Sequence, residues 1–307
     1  MVKIGIKAIV TIPPYANFIR EVVKHPIAGG LRLNTVMPVK ETDSLDTLLK
    51  RLDYEARDKG KDLWIDLKCR QLRVKGYWVP PYTVIKLSHK INVKTPVKAY
   101  FNDGREIATV LEVDGDKLIT QEGPKRVVGP GEAVNILDPS LSIEGYLTDT
   151  DKRYIEAGLK VGIKNYMLSF VEKKEDINIL NEYSNELNLI AKIESTKGMD
   201  YVENQWNKEA RLMAARGDLY LELQRPHYII NAVEKIIKRD PNAIVASRLF
   251  NSLSESLEPS CEDIGDVDNL LRMGYKTFMF GDDICMHRDS IISGLNLLKA
   301  MTEKYER

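Results

Sequence analysis

The fold of this chain is decided by the segment MAARGDL, residues 213–219, taken together with IAKIE, residues 190–194. Each segment is a short apolar run that ends abruptly in charged residues. Buried parallel strands are typically such runs, and α/β enzymes place their chemistry at the carboxyl ends of those strands. Two successive strand ends would bring Lys192, Glu194 and Asp218 into one small volume. Two carboxylates beside a lysine suit a divalent metal ion bound next to an anion.

Segments typical of strands and of helices alternate along most of the chain on either side of these two runs. The predicted strands are residues 4–11, 30–34, 63–67, 165–170, 188–194, 211–216, 243–247 and 276–280. The predicted helices are residues 17–24, 44–59, 151–159, 174–185, 197–203, 226–239, 263–273 and 290–304. Strands that alternate with helices in this way predict an α/β fold, a (β/α)8 TIM barrel.

Residues 74–145 interrupt this alternation, because they contain no convincing helical pattern. They show strand patterns, as in VKAYF at residues 97–101, separated by turn signals such as NDG at residues 102–104. We predict that they form a small all-β domain, placed like a lid and inserted after strand 3. The barrel would then consist of residues 1–73 and 146–307.

The composition limits the class of protein. Lys and Arg together number 45, as do Asp and Glu, so no net charge attracts the chain to nucleic acid or to a membrane surface. No apolar run approaches the roughly 20 residues of a membrane span, and the first residues predict a strand, not a signal peptide. The few, widely spaced cysteines, Cys69, Cys261 and Cys285, fit a reducing compartment. We expect a cytoplasmic protein that acts on a small molecule, without a zinc site.

The two opening segments resemble the metal-site motifs of the pyruvate kinase family, in which Lys-Ile-Glu is followed by Ala-Arg-Gly-Asp-Leu. Further similarities to this family follow in order along the chain. They are AIVTI at 8–12, RLN at 32–34, Asp66 and Lys68 with Arg73, LT at 147–148, SF at 169–170, Glu222, and AS at 246–247.

The resemblance implies phosphoryl transfer from phosphoenolpyruvate to ADP, which requires a divalent cation and usually K⁺. It assigns Mg²⁺ or Mn²⁺ to Glu194 and Asp218, and it makes Lys192 the group that holds the phosphoryl group and stabilises the pyruvate enolate. The other implied substrate-binding or catalytic residues are Arg32, Arg73, Ser169, Gly217, Asp218 and Ser247. The Ser247 hydroxyl and the backbone N–H groups at Gly217 and Asp218 would receive the substrate carboxylate.

The residues that differ from the family pattern are concentrated on the side of the site that binds K⁺ and the nucleotide in that family. Val36 and Leu67 replace oxygen ligands of K⁺, and a hard monovalent cation cannot use such side chains. Asn34 and Asp66 remain as possible monovalent-cation ligands, but the simplest interpretation is that K⁺ is not required. Lys68 and Arg70 are candidates for supplying the missing positive charge.

Charge and bulk also change on the nucleotide side. Met37 replaces a histidine near the nucleotide, and Glu132 falls near a lysine position, where a carboxylate would repel ADP phosphates. Asp282 and Asp283 replace part of the motif after strand eight, and we expect them to form a solvated loop. Tyr220, in place of a glycine, would either narrow the pocket or pack against a helix.

Three classes of function remain open at this stage. The first is a divergent pyruvate kinase that lacks the C-terminal allosteric domain, because the chain ends after helix eight. The second is a metal-dependent enzyme that applies enolate chemistry to another acceptor or another 2-oxo acid, as a lyase or aldolase. The third is a non-catalytic protein that binds phosphoenolpyruvate. A homo-oligomer is compatible with each of them.

Overall fold

The computed structural model of this chain describes residues 5–102, 104–223 and 225–305. Its strands are β1 Lys7–Thr11, β2 Ala28–Asn34, β3 Asp62–Leu67, β4 Val84–Lys86, β5 Ile91–Asn92, β6 Val97–Phe101, β7 Glu106–Asp114, β8 Lys117–Thr120, β9 Val134–Ile136, β10 Ser142–Ile143, β11 Asn165–Leu168, β12 Asn188–Ile193, β13 Arg211–Ala215, β14 Ile244–Ala246 and β15 Thr277–Phe280. Its helices are α1 Ile19–Lys24, α2 Leu45–Arg57, α3 Asp149–Lys160, α4 Lys174–Asn181, α5 Thr196–Asn204, α6 Arg216–Glu222, α7 Tyr228–Arg239, α8 Cys261–Met273, α9 Asp282–Cys285 and α10 Arg288–Thr302.

Parallel strands close into a barrel in the order β1-β15-β14-β13-β12-β11-β3-β2, which confirms the predicted fold class. The predicted start of the first strand, Ile4, lies outside the described residues. The two strands that decided the fold are neighbours, since Lys192 of β12 pairs with Met213 of β13. Their carboxyl ends therefore open on the same face of the barrel.

The barrel strands are apolar because both of their faces are covered. Alternate side chains such as Ile190, Met213 and Met279 fill the interior of the barrel. The intervening residues, such as Ala191 and Leu212, pack outward against the helices. This arrangement produces the continuous hydrophobic runs seen in the sequence, since a parallel sheet covered by helices has no wet face.

The ends of the helices follow capping chemistry that is readable in the sequence. Thr148 accepts a hydrogen bond from the backbone N–H of Asp151, and the Asp151 side chain accepts from the backbone N–H of Thr148, which forms a capping box at the start of α3. Two short helices, α6 and α9, were not predicted. Strand β13 ends at Ala215, and α6 begins at once with Arg216. This sharp transition places Asp218 in the first turn of a helix at the carboxyl face of the barrel.

The segment between β3 and α3 forms a separate antiparallel sheet in the order β4-β8-β7-β6-β9, beside a short pair of β5 and β10. Its own core includes Trp78 and Phe101, whose rings lie 5.3 Å apart. This small sheet agrees with the predicted all-β insert, while the domain boundaries at 74 and 145 remain a prediction. Among the described residues, no helix is long and apolar enough to cross a membrane.

Candidate active site

A cavity of about 930 Å³ opens where the carboxyl ends of the barrel strands face the inserted sheet. The predicted site residues that line it are Arg32, Asn34, Arg73, Lys192, Glu194, Gly217, Asp218 and Ser247. Two further predicted residues, Asp66 and Ser169, are fully buried and hold side chains that line the cavity. The structure thus brings the predicted residues together, while their chemical roles remain predictions.

Asp66 organises the cationic wall of the cavity. Its Oδ2 accepts hydrogen bonds from Arg32 Nε and Lys68 Nζ, each at 2.9 Å, and its Oδ1 lies 3.2 Å from Lys192 Nζ. Burial alone would raise the pKa of Asp66, but Lys192, Lys68 and Arg32 hold it well below its ordinary value. A carboxylate surrounded by three cationic groups orients them, and both of its oxygens are occupied. The monovalent-cation site at Asn34 and Asp66 stays a prediction, in which a cation would share Asp66 with these three groups.

Asn34 is engaged elsewhere as well. Its Nδ2 donates to Asp282 Oδ2 at 2.8 Å, and its Oδ1 accepts from the backbone N–H of Val36. Asp282 Oδ1 also lies 3.3 Å from Arg32 Nη1. The expectation that Asp282 belongs to a solvated loop was therefore wrong, because it begins α9 and lines the cavity. Its pKa is lowered, since Arg32 and Lys68 outweigh the effect of burial.

Lys192 is fixed from three directions. Besides Asp66, its Nζ contacts Ser169 Oγ at 2.8 Å and Glu194 Oε1 at 3.2 Å. Burial disfavours its charge, yet Asp66 and Glu194 raise its pKa above the ordinary value. The Ser169 hydroxyl donates its one hydrogen to Leu67 O at 2.8 Å. Ser169 therefore positions Lys192, while its direct contact with substrate stays a prediction.

Glu194 and Asp218 form the carboxylate pair of the site. Glu194 Oε2 accepts from the backbone N–H of Phe170 at 2.8 Å, while Asp218 accepts from Gln71 Nε2 at 2.8 Å and Asn135 Nδ2 at 3.1 Å. Burial and the negative charge of Asp218 raise the pKa of Glu194 against the opposing effect of Lys192. Two carboxylates that repel each other, Glu194 buried and Asp218 partly exposed, are a donor set that favours a bound divalent cation.

The described ranges contain no group of three or more His, Cys, Asp or Glu side chains that could hold a metal ion. Two carboxylates suffice for Mg²⁺ when water and substrate oxygens complete its shell. One turn after Asp218, Glu222 adds a further acidic group, and burial together with Asp218 raises its pKa to about 8. Sequence comparison matched Glu222 to the family without giving it a role.

Gln71 is a connecting residue that sequence reasoning missed. Its amide nitrogen donates to Asp218, while its Oε1 accepts from Arg73 Nε at 3.1 Å. Arg73 in turn donates to Gly131 O of the insert at 2.6 Å. The only signal was that Gln71 stands where the family motif has glutamate. An amide can bridge an acid and a base because it donates and accepts at once.

Ser247 stands on a strained loop at the end of β14. Its φ is +67°, a left-handed value that is uncommon outside glycine, and its Oγ lies 3.5 Å from the position that a Cβ on Gly217 would take. The backbone N–H groups of Gly217 and Asp218 lie in the first turn of α6, where such groups lack intrahelical partners. Their binding of the substrate carboxylate stays a prediction.

The charged residues Arg70, Lys68 and Glu132 were also singled out in the sequence, and the structure places them differently with respect to the cavity. Arg70 lies away from the cavity, where its Nη1 donates to Asp176 Oδ2 at 2.9 Å and its guanidinium stacks on Tyr146. Of the two candidates for the missing positive charge, only Lys68 lines the cavity. Glu132 lines the cavity too, but Arg126 Nη1 donates to its Oε2 at 3.0 Å. Its charge is therefore partly compensated within the insert.

Comparison with known proteins matches residues 82–285 to the family model "Pyruvate kinase, barrel domain". The pyruvate kinase of Thermoplasma acidophilum is 26% identical over 295 residues, which cover 86% of this chain and 52% of that protein. The pyruvate kinase of Methanocaldococcus jannaschii is 25% identical over 306 residues, which cover 91% of this chain and 66% of that protein. The chain thus spans about half to two thirds of the length of these curated relatives.

Proposed function

Because this chain belongs to the pyruvate kinase family, we propose that it transfers the phosphoryl group of phosphoenolpyruvate and releases pyruvate through an enolate. The observation that supports this most is the convergence of Lys192, Arg32, Glu194 and Asp218 on one cavity. Cations for a phosphoryl group and carboxylates for a metal lie side by side there. Phosphoryl transfer relies mainly on such positioning and on charge stabilisation.

Glu194 and Asp218 would hold Mg²⁺ or Mn²⁺. The bound ion would supply Lewis-acid charge neutralisation for the substrate oxygens. The chemistry of the donor set fits, because both side chains offer hard oxygen ligands and the mutual repulsion of their charges would be relieved. Asn135 and Gln71 would orient Asp218 for this purpose.

Lys192 and Arg32 would bind the phosphoryl group and offset its negative charge during transfer. When the bond between phosphorus and the enol oxygen breaks, the electron pair stays on that oxygen and makes the enolate. Lys192 is held by Asp66, Ser169 and Glu194, so its ammonium group needs no rearrangement to stabilise that charge. The raised pKa of Lys192 keeps it protonated at neutral pH.

Ser247, with the N–H groups of Gly217 and Asp218, would bind the substrate carboxylate at the other end of the molecule. Arg73 would add positive charge from the side of the insert, where Gln71 anchors it. Substrate held at both ends has little freedom, which lowers the entropic part of the barrier.

We further propose that turnover does not require K⁺. The side chains of Val36 and Leu67 offer no oxygen, and Asp66 is occupied by cationic donors. Lys68 lines the cavity and carries a positive charge on the same carboxylate. Burial lowers the pKa of Lys68 to about 8, so that it is protonated at neutral pH.

The acceptor and the cellular setting belong to this proposal as well. ADP is the acceptor that the family suggests, with ATP as product, and phosphoenolpyruvate and pyruvate are the small-molecule partners. A cytoplasmic protein that binds neither nucleic acid nor membrane fits the balanced charge of the chain.

The test is pyruvate formation from phosphoenolpyruvate with Mg²⁺, measured with and without ADP and with and without K⁺. We expect turnover that depends on ADP and is unchanged when Na⁺ replaces K⁺. Turnover only in K⁺ would contradict the potassium proposal. An inactive protein that still exchanges pyruvate methyl protons with deuterated solvent would indicate enolate chemistry on another reaction. If metal-dependent oxalate binding is all that remains, the chain is a binding protein.

A further inference from the structure

Two arginines on one side of the cavity have no carboxylate partner within the described part of the chain. Arg248 follows Ser247 at the end of β14, and Arg105 belongs to the turn before β7 of the insert. Both are exposed and both line the cavity. Among the described residues that line this side, Glu255 is the carboxylate beyond the metal pair, so the two guanidinium groups outnumber it.

The opposite arrangement holds near Asn34, where the charged groups already have partners. Asp282 accepts from Arg32 and Asn34, and Glu132 pairs with Arg126. The described cations of that side, Arg32 and Lys68, are therefore already paired with a carboxylate. An anionic group that enters the cavity beyond Arg32 and Lys192 would be attracted to the side of Arg248 instead.

Arg248 is held in an ordered position although it is exposed. Its backbone has a φ of +55°, and its carbonyl accepts from Arg216 Nη2 at 2.9 Å. Arg216 is itself locked by Asp266 at 2.8 Å. The guanidinium of Arg248 lies 4.2 Å from the ring centroid of Tyr220. Stacking on an aromatic ring fixes the guanidinium plane while it leaves the N–H edge open for an anion.

Arg105 reaches the same neighbourhood from the insert. In its turn, a Cβ placed on Gly104 would lie only 3.0 Å from Leu221 Cδ2, so the turn rests closely on α6. Tyr220, which supports Arg248, is the residue before Leu221 on that helix. The helix α6 is therefore the common support of both arginines.

We propose that Arg248, stacked on Tyr220, and Arg105 form a second anion subsite that binds a phosphate group other than the one to be transferred. The inference rests on the proposed function, because it concerns the same cavity. A volume of about 930 Å³ exceeds what a three-carbon phosphate ester needs and resembles pockets for larger ligands. The ligand class is a phosphate ester or a polyphosphate, which is either the phosphoryl acceptor or a separate phosphorylated ligand.

The experiment begins with wild-type protein saturated with Mn²⁺ and oxalate, which occupies the enolate position. Inorganic phosphate and, separately, ADP are then titrated by calorimetry into the wild type and into the Arg248→Gln and Arg105→Gln variants. Each variant should bind phosphate about tenfold more weakly, because a hydrogen bond to a charged group is lost. The matched control is Arg153→Gln, at an exposed arginine of α3 that does not line the cavity, and it should bind like the wild type.

Weaker binding of both phosphate and ADP in the variants identifies the acceptor's phosphates as the natural occupant. Weaker binding of phosphate alone identifies a separate phosphorylated ligand. Unchanged binding of both probes, or an equal loss in Arg153→Gln, overturns the subsite. Failure of oxalate to bind the wild type counts against the proposed function instead, and the phosphate titration of the variants then still decides the subsite.

Discussion

The two sides of the cavity differ in what fixes their charged groups. On the inner side, Arg32, Lys68 and Lys192 converge on the fully buried Asp66. On the outer side, Arg105 and Arg248 are exposed, and Arg248 has an aromatic ring as its support. A buried network holds its members in one geometry at a high cost in desolvation, which suits the stabilisation of a transition state. Exposed arginines suit recognition, because they can adapt to a ligand.

The largest effect is expected for Lys192→Met, which tests whether the buried inner side carries out the catalysis. The variant should lower the rate of pyruvate formation by at least about 10³-fold, since one preorganised charge at an oxyanion is worth about this much. Steady-state kinetics with phosphoenolpyruvate measure it, and circular dichroism checks the fold. The control Lys299→Met, on the exposed side of α10, should keep full activity. Full activity of Lys192→Met would refute the assigned role.

Asp66→Asn tests whether the inner network is held together by one carboxylate. It should lower the free energy of unfolding by about 3 kcal/mol, because three buried cations lose their counter-charge. Urea denaturation measures this change. Asp149→Asn is the matched control, because the Asp149 side chain is 99% exposed and its loss should matter by less than about 0.5 kcal/mol. Equal effects of the two substitutions would show that Asp66 does not hold the buried network together.

Gln71→Leu tests the link between the inner side and the insert. We expect Mn²⁺ affinity to fall about tenfold, because the amide that orients Asp218 and anchors Arg73 is an outer-shell partner of the metal site. Electron paramagnetic resonance of free Mn²⁺ provides the measurement. Gln205→Leu, at an exposed position after α5, should leave the affinity unchanged. An unchanged affinity in Gln71→Leu would separate the insert from metal binding.

The smallest expected effect is a pH dependence of anion binding in the cavity, which Lys68 lines and near which Glu222 lies, one turn after Asp218. Lys68 and Glu222 both have a pKa of about 8, so a rise in pH through this value removes one positive charge and adds one negative charge. Sulfate, whose own charge is constant in this range, should bind at least about threefold more weakly at pH 9 than at pH 7.

Two variants check the origin of that change. Lys68→Met and Glu222→Gln should each remove part of the pH dependence, and the double variant should show none. A full pH dependence in the double variant would assign it to another group.

The sequence predicted the barrel well because its strands are buried on both faces and therefore appear as apolar runs. It also indicated which strand ends share a cavity, since the ends of parallel strands open on one face. Thr148 and Asp151 at the start of α3 were readable because a capping box is a local interaction. These features depend on near neighbours in sequence or on the periodicity of one element.

Contacts between distant segments were beyond the reach of the sequence. Asp282 resembled a loop acid, and only the closure of β15 against β1 brings it to Arg32 and Asn34. The sequence suggested that Ser169 binds substrate. In the structure, its hydroxyl donates to the carbonyl of Leu67 on the neighbouring strand. Gln71 connects the insert to the barrel, a relation that no local pattern encodes.

The most direct test of the central claim, that the inner side binds an enolate beside a divalent metal, is calorimetry of the wild type with oxalate. Oxalate mimics the pyruvate enolate and needs the metal at Glu194 and Asp218 together with Lys192. The account predicts saturable oxalate binding in the presence of Mn²⁺ and none after the metal is removed by a chelator. Absence of binding with Mn²⁺ present, or equal binding with and without it, would contradict the account.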